Sequence, residues 1–243
     1  MGKYRSLIWT QTKRIGKDNL LLILSVYPLI LAVVGKYLIP FLREAFLENL
    51  DLSEHYPAIL VFFILANPYI YGSLAAFTLL DEREENVLQA IRVTPLKLSN
   101  YLGAKVLFFV IVSIATGVLI TWYINLVTIG LGESVMINSL MALSAPLSML
   151  MINSFAKNRV EGFALVKGTG FMILLPALAF YVPERYSLLA GVIPGYWPAM
   201  AINKLSNPSF GLMPYWGYLL VGLLYILLLI MILYHRFSRK ISS

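Results

Sequence analysis

Four acids open the most charged stretch of the chain: Asp81, Glu82, Glu84 and Glu85, followed by Gln89 and Arg92. Clustered carboxylates can hold a metal, serve as general acid and base, or dock another protein. The first two uses lack their usual companions here. The only histidines, His55 and His235, fall at opposite ends of the expected topology, so a histidine metal site or catalytic dyad is not expected. The absence of cysteine removes thiolate nucleophiles, zinc–cysteine sites and iron–sulfur sites. Gly-Lys occurs at Gly2, Gly16 and Gly35 but is never followed by Ser or Thr, so there is no Walker A phosphate loop. No catalytic residue, metal site or cofactor is therefore expected on this chain, and docking is the use left for the acids.

The elements that must position them are membrane spans. Of 243 residues, 59% are hydrophobic and 13% charged, against about 25% charged in soluble domains. The length fits one transmembrane domain over 1–243. A span needs roughly 20 mostly apolar residues, and six runs qualify: 19–41, 56–80, 106–130, 135–156, 162–183 and 214–235. With both termini in the cytoplasm, Lys36, Arg43, Arg185 and Lys204 fall outside and the remaining Lys and Arg fall inside, as the positive-inside rule requires. The net charge of +7 then belongs to the cytoplasmic flanks, and no nucleic-acid partner is expected. The uncharged run 186–203 holds Pro194, Gly195 and Pro198, which break helices. It is expected to be an external re-entrant or interfacial segment.

Along the chain, 4–17 has the spacing of an amphipathic helix at the cytoplasmic surface, and no removable signal peptide is expected. Asp18 and Asn19 can cap the first span. The first outer loop is acidic, with Glu44, Glu48, Asp51 and Glu54. It could gate a basic substrate or simply be a solvated face. Asn67-Pro68 interrupts the second span. Asn67, with Tyr71 and Phe77, either lines a substrate path or serves helix packing. A tight outer turn at Gly132 and Glu133 joins spans three and four. Gly168 and Gly170 would let helices approach closely. No Asp, Glu or His lies at mid-span, which argues against an ion-coupled carrier.

The charged stretch, 81–100, lies between spans two and three. Its acids are expected in the first turns of a short helix, where the dipole favours them. Val87, Leu88 and Ile91 form an apolar ridge expected to face the cytosol. Thr94-Pro95 ends the helix, and Ser99 or Asn100 caps the next.

This stretch, REENVLQAIRVTPLKLSNYLGAK, resembles the segment after the second span in permease subunits of type-2 ATP-binding-cassette exporters. Those run E-x-G-T-hydrophobic-E-x-hydrophobic-x-V-T-P. Glu85, Leu88, Ala90, Val93, Thr94 and Pro95 match, while Asn86 replaces Gly and Gln89 replaces Glu. Val160-Glu161-Gly162 between spans four and five and Tyr196-Trp197-Pro198 outside fit the same layout. The resemblance implies an all-α, six-span permease in a prokaryotic cell membrane, paired with a second permease subunit. It makes Glu84, Glu85, Asn86, Leu88, Gln89, Ile91, Arg92, Thr94 and Pro95 the contact with a cytosolic ATPase. That partner would carry the ATP and Mg, and the apolar, aromatic, charge-poor spans suggest an amphipathic drug or peptide as the exported compound. The residues alone leave open a carrier or channel working without an ATPase.

Overall fold

A computed structural model describes residues 13, 15–47, 51–93 and 98–242. The predicted surface helix over 4–17 falls almost wholly outside them. Among the described residues the fold is helical, without strands. Six stretches are long and apolar enough to cross a bilayer. In chain order they are α1 (Asn19–Phe46), α2 (Tyr56–Glu84), α4 (Leu98–Ile124), the pair α5 (Leu131–Ala142) and α6 (Ser144–Phe155), α7 (Arg159–Leu178) and α9 (Tyr215–Ser242). The short α3 (Val87–Arg92) joins α2 to α4, and α8 (Tyr196–Ser206) precedes α9. At about 1.5 Å per residue the longest spans exceed the roughly 30 Å hydrocarbon core.

Two spans form the centre. In α2, 78% of the most apolar window is buried, and in α5–α6 72%, against 17–28% in the others. Around them α1, α4, α7 and α9 expose Ile23, Leu107, Phe171 and Leu224, respectively, outward. In water such surfaces would drive aggregation, but in a bilayer they meet lipid. Small residues set the central contact. A Cβ on Gly72 of α2 would lie 2.5 Å from the Ala145 carbonyl oxygen of α6.

Several boundaries differ from those read in the sequence. α2 continues through Asp81–Glu84, so these acids close the second span and do not open the next helix. α4 starts at Leu98, placing Ser99 and Asn100 within its first turn. It stops at Ile124, where Asn125 takes φ 52°. The connection to α5 is therefore the loop 125–130, and Gly132 and Glu133 lie inside α5, with Glu133 accepting a hydrogen bond from the Gly130 N–H at 3.0 Å. The fourth span breaks at Leu143, next to Pro146, which cannot supply its helix N–H. Among the described residues, Gly168 and Gly170 have no atom from outside their own helix turn within 4 Å of a built Cβ. They provide no close approach among these residues.

Within 186–203, residues 194–203 fold back into the bundle, while Tyr186, Leu189 and Val192 stay exposed. A Cβ on Gly195 would strike Leu65, roughly 13 Å below the start of α2. From there α8 climbs back toward the helix ends. Tyr196, Ala199, Met200, Ala201 and Ile202 are all buried. Trp197 donates to the Gly191 carbonyl at 3.0 Å, and Tyr196 and Ser187 share a hydroxyl hydrogen bond at 3.0 Å. The Trp197 bond satisfies part of the irregular backbone that a protein-lined setting allows at this depth.

Candidate functional site

The site is built where α2 ends. Glu85 N–H bonds the Asp81 carbonyl at 2.8 Å and Asn86 N–H bonds Arg83 at 3.2 Å. Asn86 then takes φ 58°, a left-handed conformation. Gly adopts it freely, and Asn tolerates it better than most other residues. This gives a physical reason for Asn where the resembling motif carries Gly. The Asn86 carbonyl accepts from Gln89 and Ala90, both at 3.1 Å, and so starts α3.

The ridge on α3 points the other way from the sequence expectation. Leu88 is buried against a core that includes Leu79, Leu80, Tyr101 and Leu102, and Ile91 packs on the same cluster. Hydrophobic burial holds α3 down onto the bundle. Its outward face is formed by Glu84, Glu85, Asn86, Gln89, Ala90 and Val93, the last 88% exposed. Arg92 ends the helix, while Thr94 and Pro95 lie outside the described residues.

A helix C-terminus carries partial negative charge, so acids there need cations. Two groups supply them from distant segments. Lys105 of α4 lies 2.7 Å from Glu82, and both side chains are almost fully buried. Tyr101 donates to Glu82 at 2.7 Å and Lys105 donates to Thr78 at 3.3 Å. Arg159, at the start of α7, grips Asp81 through two nitrogens and reaches Asp18 at 2.7 Å. Asp18 also caps α1, accepting from Leu20 at 2.9 Å and Leu21 at 3.2 Å, as its sequence position suggested. Arg159 holds the Asp18 carboxyl below the usual carboxylate range, chiefly by hydrogen bonding. Arg83 bonds the Asn153 carbonyl of α6 at 3.4 Å. This polar collar ties α1, α2, α4, α6 and α7 together around the root of α3. Sequence reading saw the acids but not their partners. The available signal was Lys105 and Arg159, two cations near span ends facing an acid cluster of opposite charge.

α3 is seated by Leu88 and Ile91, and its two flanking spans are joined by the Glu82–Lys105 pair. Beside it a polar cleft of about 420 Å³ is lined by Lys17, Asp18, Asp81, Glu84, Glu85 and Arg159. Among the described residues, no cluster of three or more His, Cys, Asp or Glu is arranged to hold a metal ion.

The three residues considered for a substrate path are sealed between helices. Asn67 donates to the Ser113 carbonyl at 2.8 Å and accepts from Thr116 at 2.8 Å. Tyr71 donates to the Ser25 carbonyl of α1 at 3.1 Å. Phe77 packs on Phe163, with ring centroids 4.6 Å apart. Gly117 makes room for the polar seam. A Cβ there would meet Asn138 Oδ1 at 2.3 Å and Asn67 Nδ2 at 3.2 Å.

A family model described as "Fluoroquinolones export permease protein Rv2686c-like" matches residues 11–234. Two proteins of Mycobacterium tuberculosis strains, named fluoroquinolones export permease proteins Rv2686c and MT2760, are each 32% identical over 229 residues. The match covers 92% of this chain and 89% of each relative. No solved structure matches the chain.

Proposed function

The chain belongs to the Rv2686c-like fluoroquinolone export permease family, and from that membership we propose that it is the membrane subunit of an ATP-binding-cassette exporter. It is a multi-pass protein of a prokaryotic cell membrane with a transport role. The finer reading assigns the collar end to the cytoplasm and the outward face of α3 to a separate ATPase subunit. ATP and Mg bind on that partner. The exported compound is a planar amphipathic molecule of the fluoroquinolone kind, a substrate class suggested by the relatives' names.

The observation that carries this reading is the construction of α3. Its apolar side is consumed by the bundle while a polar face stays open, and its root is braced by a buried ion pair. A solvated loop needs neither. ATP-driven closure of the ATPase would press on Glu84, Glu85, Gln89 and Val93. The collar would pass that movement to α2 and α4, changing which end of the bundle is open. A second permease subunit belongs to the same proposal. The outer face of α7 around Gly168 and Gly170 has room for a neighbouring helix.

The test is purification of the tagged chain from its host membrane, followed by reconstitution with the co-purified ATPase. Fluoroquinolone uptake into inside-out vesicles should require ATP and the partner. ATP-independent flux by the chain alone would overturn the proposal.

A further inference from the structure

At the end of the bundle opposite α3 lies a cavity of about 620 Å³, within the roughly 300–1,000 Å³ of sites that bind drug-sized molecules. It forms where the 3₁₀ turn Leu52–His55, the start of α2, the loop 126–128, the end of the fifth span and the top of α8 converge. None of these segments belongs to the collar.

Three features give the cavity a chemistry. Asn203 lines it and is 8% exposed. Its side-chain amide bonds to no described residue, although its backbone carbonyl accepts from Asn207 at 2.8 Å. The amide atoms stay accessible from the cavity, so donor and acceptor groups are available to a bound molecule. The walls are aromatic: Tyr56, Phe180, Tyr181 and Phe210 line them, and the His55 ring meets Tyr181 edge-on at 5.3 Å. Finally, among the described residues the lining includes Glu54 and no Lys or Arg. The neighbouring Lys204 is turned to the Pro208 and Phe210 carbonyls, at 2.7 and 2.8 Å, where it fixes the Phe210 wall.

We propose that this cavity is a substrate subsite for planar aromatic compounds bearing a basic amine. The aromatic walls take the rings, Glu54 attracts the ammonium group, and the Asn203 amide bonds a carbonyl or carboxylate oxygen. The inference rests on the exporter reading and adds a station at the end of the path away from the ATPase. It also gives the acidic outer loop a specific member, Glu54, that meets the substrate.

Ciprofloxacin, which carries a basic piperazine, and nalidixic acid, which lacks an amine, separate the contributions. With the full complex in membrane vesicles, Glu54→Gln should raise the half-saturating ciprofloxacin concentration about fivefold, as expected for one partly exposed ion pair. It should leave nalidixic acid unchanged. Glu54 is exposed, so this variant tests the site without disturbing the fold. Asn203→Leu should raise the value about tenfold for both compounds. Leu224→Ala, on the lipid-facing side of α9, serves as control. A photoreactive azido derivative of ciprofloxacin should label peptides containing Tyr56, Tyr181 or Phe210, and unlabelled ciprofloxacin should compete. Labelling confined to other segments, or both variants exporting both compounds at wild-type concentrations, would overturn the subsite. Competed labelling here without ATP-driven export would uphold the subsite and sink the exporter reading.

Discussion

Lys105→Met removes one half of the pair that braces the root of α3. Glu82 would remain buried beside Tyr101 without the ammonium group now 2.7 Å away. Breaking a buried ion pair from one side costs about 3–5 kcal/mol, a large part of the roughly 5–15 kcal/mol that holds a typical domain. The double variant Glu82→Gln, Lys105→Met removes the stranded charge and keeps an acceptor for Tyr101. It should recover to within about 1–2 kcal/mol of the parent, because replacing both members avoids the uncompensated charge. Denaturant titration of the purified chain in lipid–detergent micelles measures both. Export by the same variants reads a separate quantity. If the pair joins α2 to α4 during transport, the double variant should regain stability while its export per ATP hydrolysed stays below the parent. A wild-type unfolding midpoint for Lys105→Met would refute the reasoning, since a side chain with almost no exposure cannot lose its partner without cost.

Other expectations follow from single contacts. Asn86→Gly should leave ATPase assembly intact, whereas Asn86→Val should destabilise the α2–α3 turn by about 1–2 kcal/mol because φ is 58°, seen as reduced co-purification of the partner. Gly72→Leu should abolish accumulation of folded chain, read by size-exclusion profile, because even a Cβ falls 2.5 Å from a backbone oxygen of α6. Asn67→Leu should lower the unfolding free energy by about 0.6–1.7 kcal/mol, the scale of polar contacts between membrane helices, while export stays near the parent level. Leu88→Asp should release α3 from the core, costing roughly 2–5 kcal/mol for the lost apolar burial alone. Proteolysis between α2 and α4 would report it.

The six spans were legible because apolar length is a local property that needs no knowledge of neighbours. The Asp18 cap was legible for the same reason. What escaped depends on contacts made across the fold. Asp81–Glu84 reads as the acidic start of a helix when only adjacent residues are weighed. It becomes a helix end once Lys105 and Arg159 arrive to neutralise it. Leu88 looks like a docking ridge in a polar segment. The core beneath α3 claims it, leaving the polar face for any partner. The irregular backbone of 186–203 is legible in its Pro and Gly content, but the close packing of Gly195 on Leu65 depends on another span. The unfilled amide of Asn203 has no sequence signature at all.

The central claim is that the outward face of α3 receives the ATPase. The triple variant Glu84→Lys, Gln89→Lys, Val93→Asp changes that face alone, since all three residues are exposed. Co-purification with the ATPase is measured beside the thermal stability of the chain. Loss of the partner with unchanged stability is expected, and wild-type amounts of bound ATPase would exclude this face as the docking surface.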